Sequence, residues 1–159
     1  MNIVRTNSAN PDFAELIGQL DRHLWSLFGN GMEYFQQFNI INDSDTVVLA
    51  YDGEKPVGCG CLREFDANTT EVKRMFVVPA CRGMGVATAV LRELETWAKE
   101  LNYDRIVLET GQALTSAVSL YTKHDYRPID RWGPYVEIET SICMEKRIAG
   151  GKTLNESDQ

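Results

Sequence analysis

The sequence has 159 residues, of which 43% are hydrophobic and 25% charged, and its formal net charge is -7. A chain of this length favours one domain whose core needs neither a disulfide nor a metal. The negative net charge argues against a nucleic-acid partner, because such binding depends on clustered Lys and Arg. We expect no nucleic acid and no membrane among the partners, whereas a cationic substrate such as an amine is compatible with this charge.

The cysteines are predicted to be free thiols, buried or half-buried in the fold: Cys59, Cys61, Cys81 and Cys143. Cys59 and Cys61 stand two residues apart in a strand-like run, so they share a face and cannot readily bridge to each other. Their spacing fits no zinc motif, and we expect no metal. The first residues lack an apolar signal core and no run approaches membrane-spanning length, which predicts a cytoplasmic protein.

The N-terminal part predicts a short strand over Asn2–Thr6, followed by a helix. Asn10-Pro11-Asp12 is a typical helix start, and apolar residues recur at spacings of three and four from Phe13 to Phe28. Gly29-Asn30-Gly31 is predicted to end this helix. The segment from Met32 to Ile41 is interpreted as a second, short helix that leads into a loop.

Three meandering strands are predicted next, over Thr46–Tyr51, Pro56–Phe65 and Thr70–Val78. Asp-Gly at positions 52 and 53 is a hairpin signal between the first two strands. A second turn over Asp66–Thr69 connects the last two. Pro79 then stops the third strand, because proline cannot donate to a strand ladder.

A glycine-rich turn, a long amphipathic helix from Val86 to Leu101 and an apolar strand over Asp104–Glu109 come next. This strand-helix-strand order predicts two parallel strands with a right-handed crossover. A helix over Ser116–His124 and two final strands, Tyr126–Ile129 and Val136–Glu145, complete the domain, the strands forming a hairpin around Trp132-Gly133-Pro134. Residues 1–148 are predicted to form this domain, and the polar residues 149–159 a disordered tail.

The segment that carries chemistry runs from Glu71 to Thr88, where a strand ends and a glycine turn opens directly into a helix. The first N–H groups of a helix have no internal acceptor, and the helix dipole is positive at that end. Gly83 and Gly85 leave room for a ligand to approach the backbone. The segment therefore predicts a phosphate or pyrophosphate site, although a glycine turn without a ligand is the alternative. It is neither a P-loop nor a dinucleotide G-x-G-x-x-G motif.

The hexapeptide Arg82-Gly83-Met84-Gly85-Val86-Ala87 resembles the Arg/Gln-x-x-Gly-x-Gly/Ala signature of the GNAT superfamily of N-acetyltransferases. Three further stretches resemble family sequence at matching places: Val77-Val78-Pro79, Leu108-Glu109-Thr110, and Ala117-Val118-Ser119-Leu120-Tyr121 with Tyr126. The resemblance implies one α/β domain with a mixed, mostly antiparallel sheet of about seven strands. Helices are expected on both faces, and a splayed parallel pair of strands, ending at Val78 and about Glu109, at the centre.

The resemblance also implies acetyl-CoA as co-substrate and assigns residues to it. The backbone of Phe76, Val77 and Val78 is expected to pair with the pantetheine arm, much as an added strand would. The pyrophosphate is expected on the main-chain amides of Arg82, Gly83, Met84, Gly85, Val86, Ala87 and Thr88, with the hydroxyl of Thr88 as an additional donor.

The reaction implied is direct attack of an amine on the acetyl carbonyl. The amine must first lose a proton, because an alkylamine resembles lysine with a pKa of about 10.4. Glu71 is the first candidate for the base, Glu109 the second, and a water chain a third; Glu71 is alternatively a strand carboxylate paired with Lys73 or Arg74. Strand alternation puts Glu71, Lys73 and Met75 on one face, unless a bulge intervenes.

Two further roles follow from the resemblance. Tyr121 matches the family's general acid, the donor near the departing sulfur, and is alternatively a packing aromatic. The N–H of Val77 is the expected donor to the oxyanion. Asp125 replaces the family's glycine before the final aromatic residue and is expected to adopt the left-handed conformation at a modest cost. The family's asparagine before that helix is also missing.

The acceptor is expected to contact Trp25–Phe38, Cys61–Asp66 and Arg131–Glu139. Glu33, Glu64 and Glu137 are candidates for attracting a cationic amine, and Arg63, Arg74 and Arg131 for holding a carboxylate. We expect a small-molecule amine or amino acid as substrate. Protein lysines or N-termini as acceptors, and a non-catalytic acyl-CoA-binding module, are the alternatives. A homodimer is possible.

Overall fold

The computed structural model describes residues 1–29 and 44–148. The predicted helix over Met32–Ile41 and the predicted tail over 149–159 lie outside the described residues. Two short 3-10 helices cover Pro79–Cys81 and Gly133–Tyr135. The helices and strands are, in order, β1 Asn2–Thr6, α1 Pro11–Phe28, β2 Val47–Asp52, β3 Lys55–Asp66, β4 Thr69–Val77, α2 Val86–Glu100, β5 Arg105–Gly111, α3 Thr115–Lys123, β6 Arg127–Ile129 and β7 Ser141–Arg147.

The strands form one seven-stranded sheet in the order β1-β2-β3-β4-β5-β7-β6. The pairs β1/β2, β2/β3, β5/β7 and β6/β7 are antiparallel, whereas β4 and β5 are parallel. The predicted fold class is confirmed: one domain with a mixed sheet and a parallel pair at its centre. The parallel register covers Thr69–Glu71 and ends at the pair Glu71–Val107, although β4 continues to Val77 and β5 to Gly111.

The chain divides into two compact units, Met1–Arg63 with Lys73–Leu94, and Glu64–Val72 with Glu95–Gln159. Each internal boundary falls inside an element, namely β3, β4 and α2. In the first unit α1 begins as predicted: the side chain of Asn10 accepts a hydrogen bond from the amide of Asp12 (2.8 Å), and Pro11 follows at the first helical position.

Two glycines of β3 allow α2 to pack closely against the first unit's part of the sheet. A Cβ atom at Gly58 would lie 2.6 Å from Cγ1 of Val86, and one at Gly60 would lie 2.9 Å from Cδ1 of Leu94. Side chains at either position would therefore push the helix away. This close packing fixes the first residue of α2, Val86, and with it the glycine turn that precedes the helix.

The C-terminal end of α3 forms a Schellman motif, which has the left-handed residue that was predicted. Asp125 has φ 73°, the amide of Asp125 donates to the carbonyl of Thr122 (3.1 Å), and the amide of Tyr126 donates to the carbonyl of Tyr121 (3.0 Å). The rings of Tyr121 and Tyr126 meet edge to face at 5.6 Å. Aspartate therefore supports here the helix end that glycine supports in the family pattern.

The last strand begins later than predicted. The prediction placed a strand from Val136, but β7 begins at Ser141. Gly133 has φ 52° and opens a 3-10 turn, and the chain then continues in successive turns, in which Ile138 donates to Tyr135 and Ser141 to Ile138, both at 3.0 Å. These local hydrogen bonds replace the ladder that a strand would have formed.

A buried carboxylate in the second unit makes stability depend on pH. Glu145 accepts hydrogen bonds from Arg105 (2.6 Å) and Arg127 (2.5 Å). The hydrogen bond from Arg105, together with that from Arg127 and both guanidinium charges, outweighs burial and holds the pKa of Glu145 below its ordinary value.

We expect Glu145→Gln to lower the free energy of unfolding at pH 7 by about 2 kcal/mol, since hydrogen bonds to charged groups are lost. The depressed pKa stabilises the fold above the ordinary glutamate pKa, and this contribution is lost as pH falls through the folded value. Urea unfolding of both proteins between pH 7 and pH 3 measures this. The difference in unfolding free energy between wild type and Glu145→Gln should narrow towards pH 3. A difference that stays constant with pH would contradict the lowered pKa of Glu145.

Candidate active site

The glycine turn of the first unit presents its backbone to the outside. Gly83 and Gly85 have φ +80° and +84°, and no atom lies within 4 Å of where a Cβ would stand at either position. The first hydrogen bond of α2 runs from the amide of Ala89 to the carbonyl of Gly85 (3.0 Å). The amides before Ala89 therefore have no acceptor within the helix, and they lie at its positive end. Open amides at the positive end of a helix are the arrangement that favours an anion.

The side chain of Arg82 braces the turn against the end of β4. Its Nε donates to the carbonyl of Val77 (3.0 Å), and its guanidinium lies 5.7 Å from the ring centroid of Phe76. The amide of Val78 donates to the carbonyl of Val57 on β3 (2.9 Å). Because successive amides of a strand point to opposite edges, the N–H of Val77 points to the edge away from β3.

A residue of β4 interrupts the predicted alternation. Arg74 has φ 61°, which is typical of a β-bulge, and its guanidinium forms an ion pair with Asp21 (2.7 Å). Beyond Arg74, simple alternation from Glu71 therefore no longer predicts the face on which a side chain such as that of Met75 lies. Arg74 is buried by this ion pair and does not present a cation to an acceptor.

Two carboxylates of the second unit share one face of the sheet. Glu71, buried in the middle of β4, lies opposite Val107, and Glu109 stands two residues further along β5. Glu109 in turn lies opposite Cys143 of β7 and accepts a hydrogen bond from the hydroxyl of Ser141 (2.7 Å). Both predicted candidates for the base are thus on the same side of the sheet.

The thiol of Cys143 lies in this charged environment. Burial, with the added effect of the charges of Glu109 and Glu71, raises its pKa to about 11, although the amide of Trp132 and the guanidinium of Arg131 act in the lowering direction. The sequence did not identify Cys143 or Ser141 as part of the site. Period-two alternation through β7 places both on the face of Glu145, but only the register of β7 against β5 shows that Cys143 lies opposite Glu109.

Tyr121 lies on α3 in the same unit and is buried. Burial, followed by the negative charge of Glu109, raises the pKa of its phenol well above the ordinary range. The phenol is therefore protonated at neutral pH and can donate a hydrogen bond. The negative charge of Glu109 thus acts on both the phenol of Tyr121 and the thiol of Cys143.

A model of the acetyltransferase (GNAT) family matches residues 13–126. The chain belongs to the GNAT acetyltransferase family. It is an acyltransferase of the acetyltransferase type, in agreement with the resemblance of the glycine turn and the α3 segment.

Similar proteins cover nearly the whole chain. IAA acetyltransferase of Azospirillum brasilense is 28% identical over 150 residues, 93% of this chain and 98% of that protein. A solved Klebsiella pneumoniae structure of the acyl-CoA N-acyltransferase type has 25% identity and a TM-score of 0.76, and covers 93% of this chain and 97% of its own. An Elizabethkingia anophelis GNAT acetyltransferase with bound acetyl-CoA shares the fold at 21% identity and a TM-score of 0.68, with coverage of 92% and 97%.

Two features are absent from the described part of the chain. Over 1–29 and 44–148, no group of three or more His, Cys, Asp or Glu side chains is arranged to hold a metal ion. Within the same residues, every helix is too short or too polar to cross a bilayer. The cysteines are unbridged, as predicted: Cys59, Cys61 and Cys143 are buried and Cys81 is half-buried.

Proposed function

We propose that this GNAT enzyme transfers the acetyl group of acetyl-CoA to the primary amine of a small molecule or amino acid by direct attack. The observation that carries the proposal is the buried Glu71 on the same face as Glu109, in one unit with the protonated phenol of Tyr121. We assign the base for the ammonium to Glu71 and the hydrogen-bond donor for the leaving group to Tyr121. The net charge of -7 favours a cationic acceptor over an anionic one.

The assignment of acetyl-CoA to the glycine turn is part of the proposal. The open positive-φ positions Gly83 and Gly85 leave the backbone accessible, as a diphosphate requires. We assign the diphosphate to the amides from Gly83 to Thr88, since the amide of Arg82 already donates to the carbonyl of Pro79 (3.3 Å), and the pantetheine arm to the backbone of Phe76, Val77 and Val78. Because Arg82 already occupies the carbonyl of Val77, the N–H of Val77 is the stronger candidate for pairing with the arm or for the oxyanion.

The proposed reaction begins at the ammonium group of the acceptor. Glu71 takes a proton from the ammonium of the acceptor, and the neutral nitrogen forms a bond to the acetyl carbonyl carbon. The tetrahedral intermediate loses its second N–H proton to solvent and collapses, breaking the carbon–sulfur bond. The CoA thiolate leaves while it accepts a hydrogen bond from Tyr121, and it then takes up a proton. The products are the N-acetyl amine and CoA.

Replacing Tyr121 by phenylalanine is expected to lower kcat by roughly ten- to a hundredfold, because a hydrogen bond to a developing thiolate contributes about 1.5–3 kcal/mol. The matched control is Tyr126→Phe, which removes the hydrogen bond to Glu95 (2.8 Å) in the same aromatic pair. The control should lower Tm and leave kcat nearly unchanged. Thiol release from acetyl-CoA measures both variants; an unaltered kcat in Tyr121→Phe would remove this tyrosine from the mechanism.

The test of the function itself is a thiol-release assay with acetyl-CoA against amines, amino acids, and peptides with free lysines or N-termini. Small amines and amino acids should be the better acceptors. Turnover of peptides alone would favour the protein-acetylating alternative. CoA binding without any turnover would favour a non-catalytic module. A cytoplasmic location and a homodimer stay predictions from the sequence.

A further inference from the structure

A cavity of about 380 Å³ lies between β6, the residues that follow it and the start of β7. Ser141 and Cys143 form one wall. Both are neighbours of Glu109, since Ser141 donates a hydrogen bond to it and Cys143 lies opposite it. Asp130 and Arg131 line another part. The cavity is therefore lined by Ser141, which donates to Glu109 (2.7 Å), and by Arg131, a cation that the chemistry described above does not use.

The exposed side chain of Arg131 is tethered by one hydrogen bond. Its Nη1 donates to the carbonyl of Ile138 (3.0 Å), and the next residue, Trp132, is fixed by edge-to-face contacts with Phe65 (5.4 Å) and Tyr135 (5.7 Å). Within the described residues that bond uses one of the five N–H donors of the guanidinium. The remaining donors form the planar fork that binds a carboxylate with two hydrogen bonds.

The charges around Cys143 have opposite signs. Glu109 lies opposite Cys143 on β5 and accepts the hydrogen bond from Ser141 (2.7 Å), whereas Arg131 lines the same cavity as Cys143. A molecule with an ammonium group at one end and a carboxylate at the other complements this arrangement. Its ammonium would face the two glutamates, where the base is needed, and its carboxylate would face Arg131.

We propose that Arg131 binds the carboxylate of the acceptor, so that the preferred substrates are amino carboxylates such as α-amino acids. The inference rests on the proposed function and narrows its substrate class. Of the other arginines that the sequence suggested for this role, Arg74 is already paired with Asp21 at 2.7 Å. Asp130 lines the same cavity with the opposite charge, which makes it a matched control.

The experiment compares each of the twenty amino acids with its carboxamide, which keeps the amine and loses the negative charge. For the preferred amino acid, wild type should show a kcat/KM at least tenfold higher than for its carboxamide. Arg131→Gln should reduce this ratio tenfold or more, mainly through KM of the acid. Asp130→Asn should keep or increase the ratio. The KM of acetyl-CoA should be the same in all three proteins.

Two results would overturn the inference: a wild type that accepts carboxamides as well as acids, or an unchanged ratio in Arg131→Gln. If Arg131→Gln does not fold, Arg131→Lys replaces it. Lysine keeps the charge and loses the planar fork, so the ratio should fall by a smaller factor; an unchanged ratio would again contradict the inference.

A separate binding measurement distinguishes this inference from the proposed function. If no amine is acetylated, the proposed function fails, and N-acetyl amino acids are titrated into the CoA-loaded protein by calorimetry. Binding that is lost in Arg131→Gln and retained in Asp130→Asn would support the carboxylate site without any turnover. Equal binding by wild type and Arg131→Gln, or no binding to wild type, would overturn it.

Discussion

Replacing Gly85 by alanine is expected to weaken acetyl-CoA binding at least about tenfold, equivalent to about 1.4 kcal/mol. Gly85 has φ +84° and stands immediately before the first residue of α2, with open space where a Cβ would stand. A methyl group there would enter the space proposed for the diphosphate, and the left-handed conformation would cost an alanine roughly 1–2 kcal/mol. Both effects disturb the amides that we assign to the ligand.

The control for this prediction is Gly53→Ala. Gly53 has φ +64° and equally open space, but it lies in the turn between β2 and β3. The backbone cost should therefore be similar in the two variants, and both should lose stability. Calorimetric titration with acetyl-CoA should show a weaker Kd for Gly85→Ala alone. Equal Kd values in the two variants would show that the turn does not hold the ligand.

Replacing Glu71 by glutamine is expected to lower kcat by about 10²- to 10⁴-fold, the usual contribution of a general base. The substitution keeps the shape of the buried side chain and removes its ability to take a proton. The acidic limb of the pH profile of kcat/KM should disappear with it. Affinity for acetyl-CoA should be unaltered, since Glu71 is assigned to the amine and not to the cofactor.

Glu109→Gln, compared with Glu71→Gln, shows which of the two glutamates is the base. Glu109 lies on the same face and is hydrogen-bonded by Ser141 at 2.7 Å. If Glu71 is the base, Glu109→Gln should change kcat far less than Glu71→Gln does. A larger loss in Glu109→Gln would transfer the role to Glu109, and small losses in both would favour the water chain. Glu54→Gln, in the exposed turn between β2 and β3, should leave turnover unchanged.

Most elements could be predicted because their signals are local. The helix start at Asn10 depends on a side chain that caps the amide of Asp12, and the period of apolar residues through α1 follows from one buried stripe. Asp-Gly at positions 52 and 53 fixed the first hairpin in the same way. The glycine turn was equally visible, because positive φ at Gly83 and Gly85 is a property of those residues themselves.

The features that sequence patterns missed depend on tertiary context. The positive φ of Arg74 goes with an ion pair to Asp21, 53 residues away along the chain. The late start of β7 depends on turn hydrogen bonds between residues 132 and 141 competing with the strand ladder. Cys143 and Ser141 can be assigned to the site only from the register of β7 against β5, because a shift by one residue turns every side chain to the other face.

The central claim is that main-chain amides of the turn from Gly83 to Thr88 hold the diphosphate of acetyl-CoA. Calorimetric titration with CoA and with pantetheine, which has the same thiol arm and no diphosphate, tests it most directly. We expect micromolar binding of CoA and at least about a hundredfold weaker binding of pantetheine, equivalent to about 2.8 kcal/mol. Equal affinities for the two ligands, or no uptake of CoA at millimolar concentration, would contradict it.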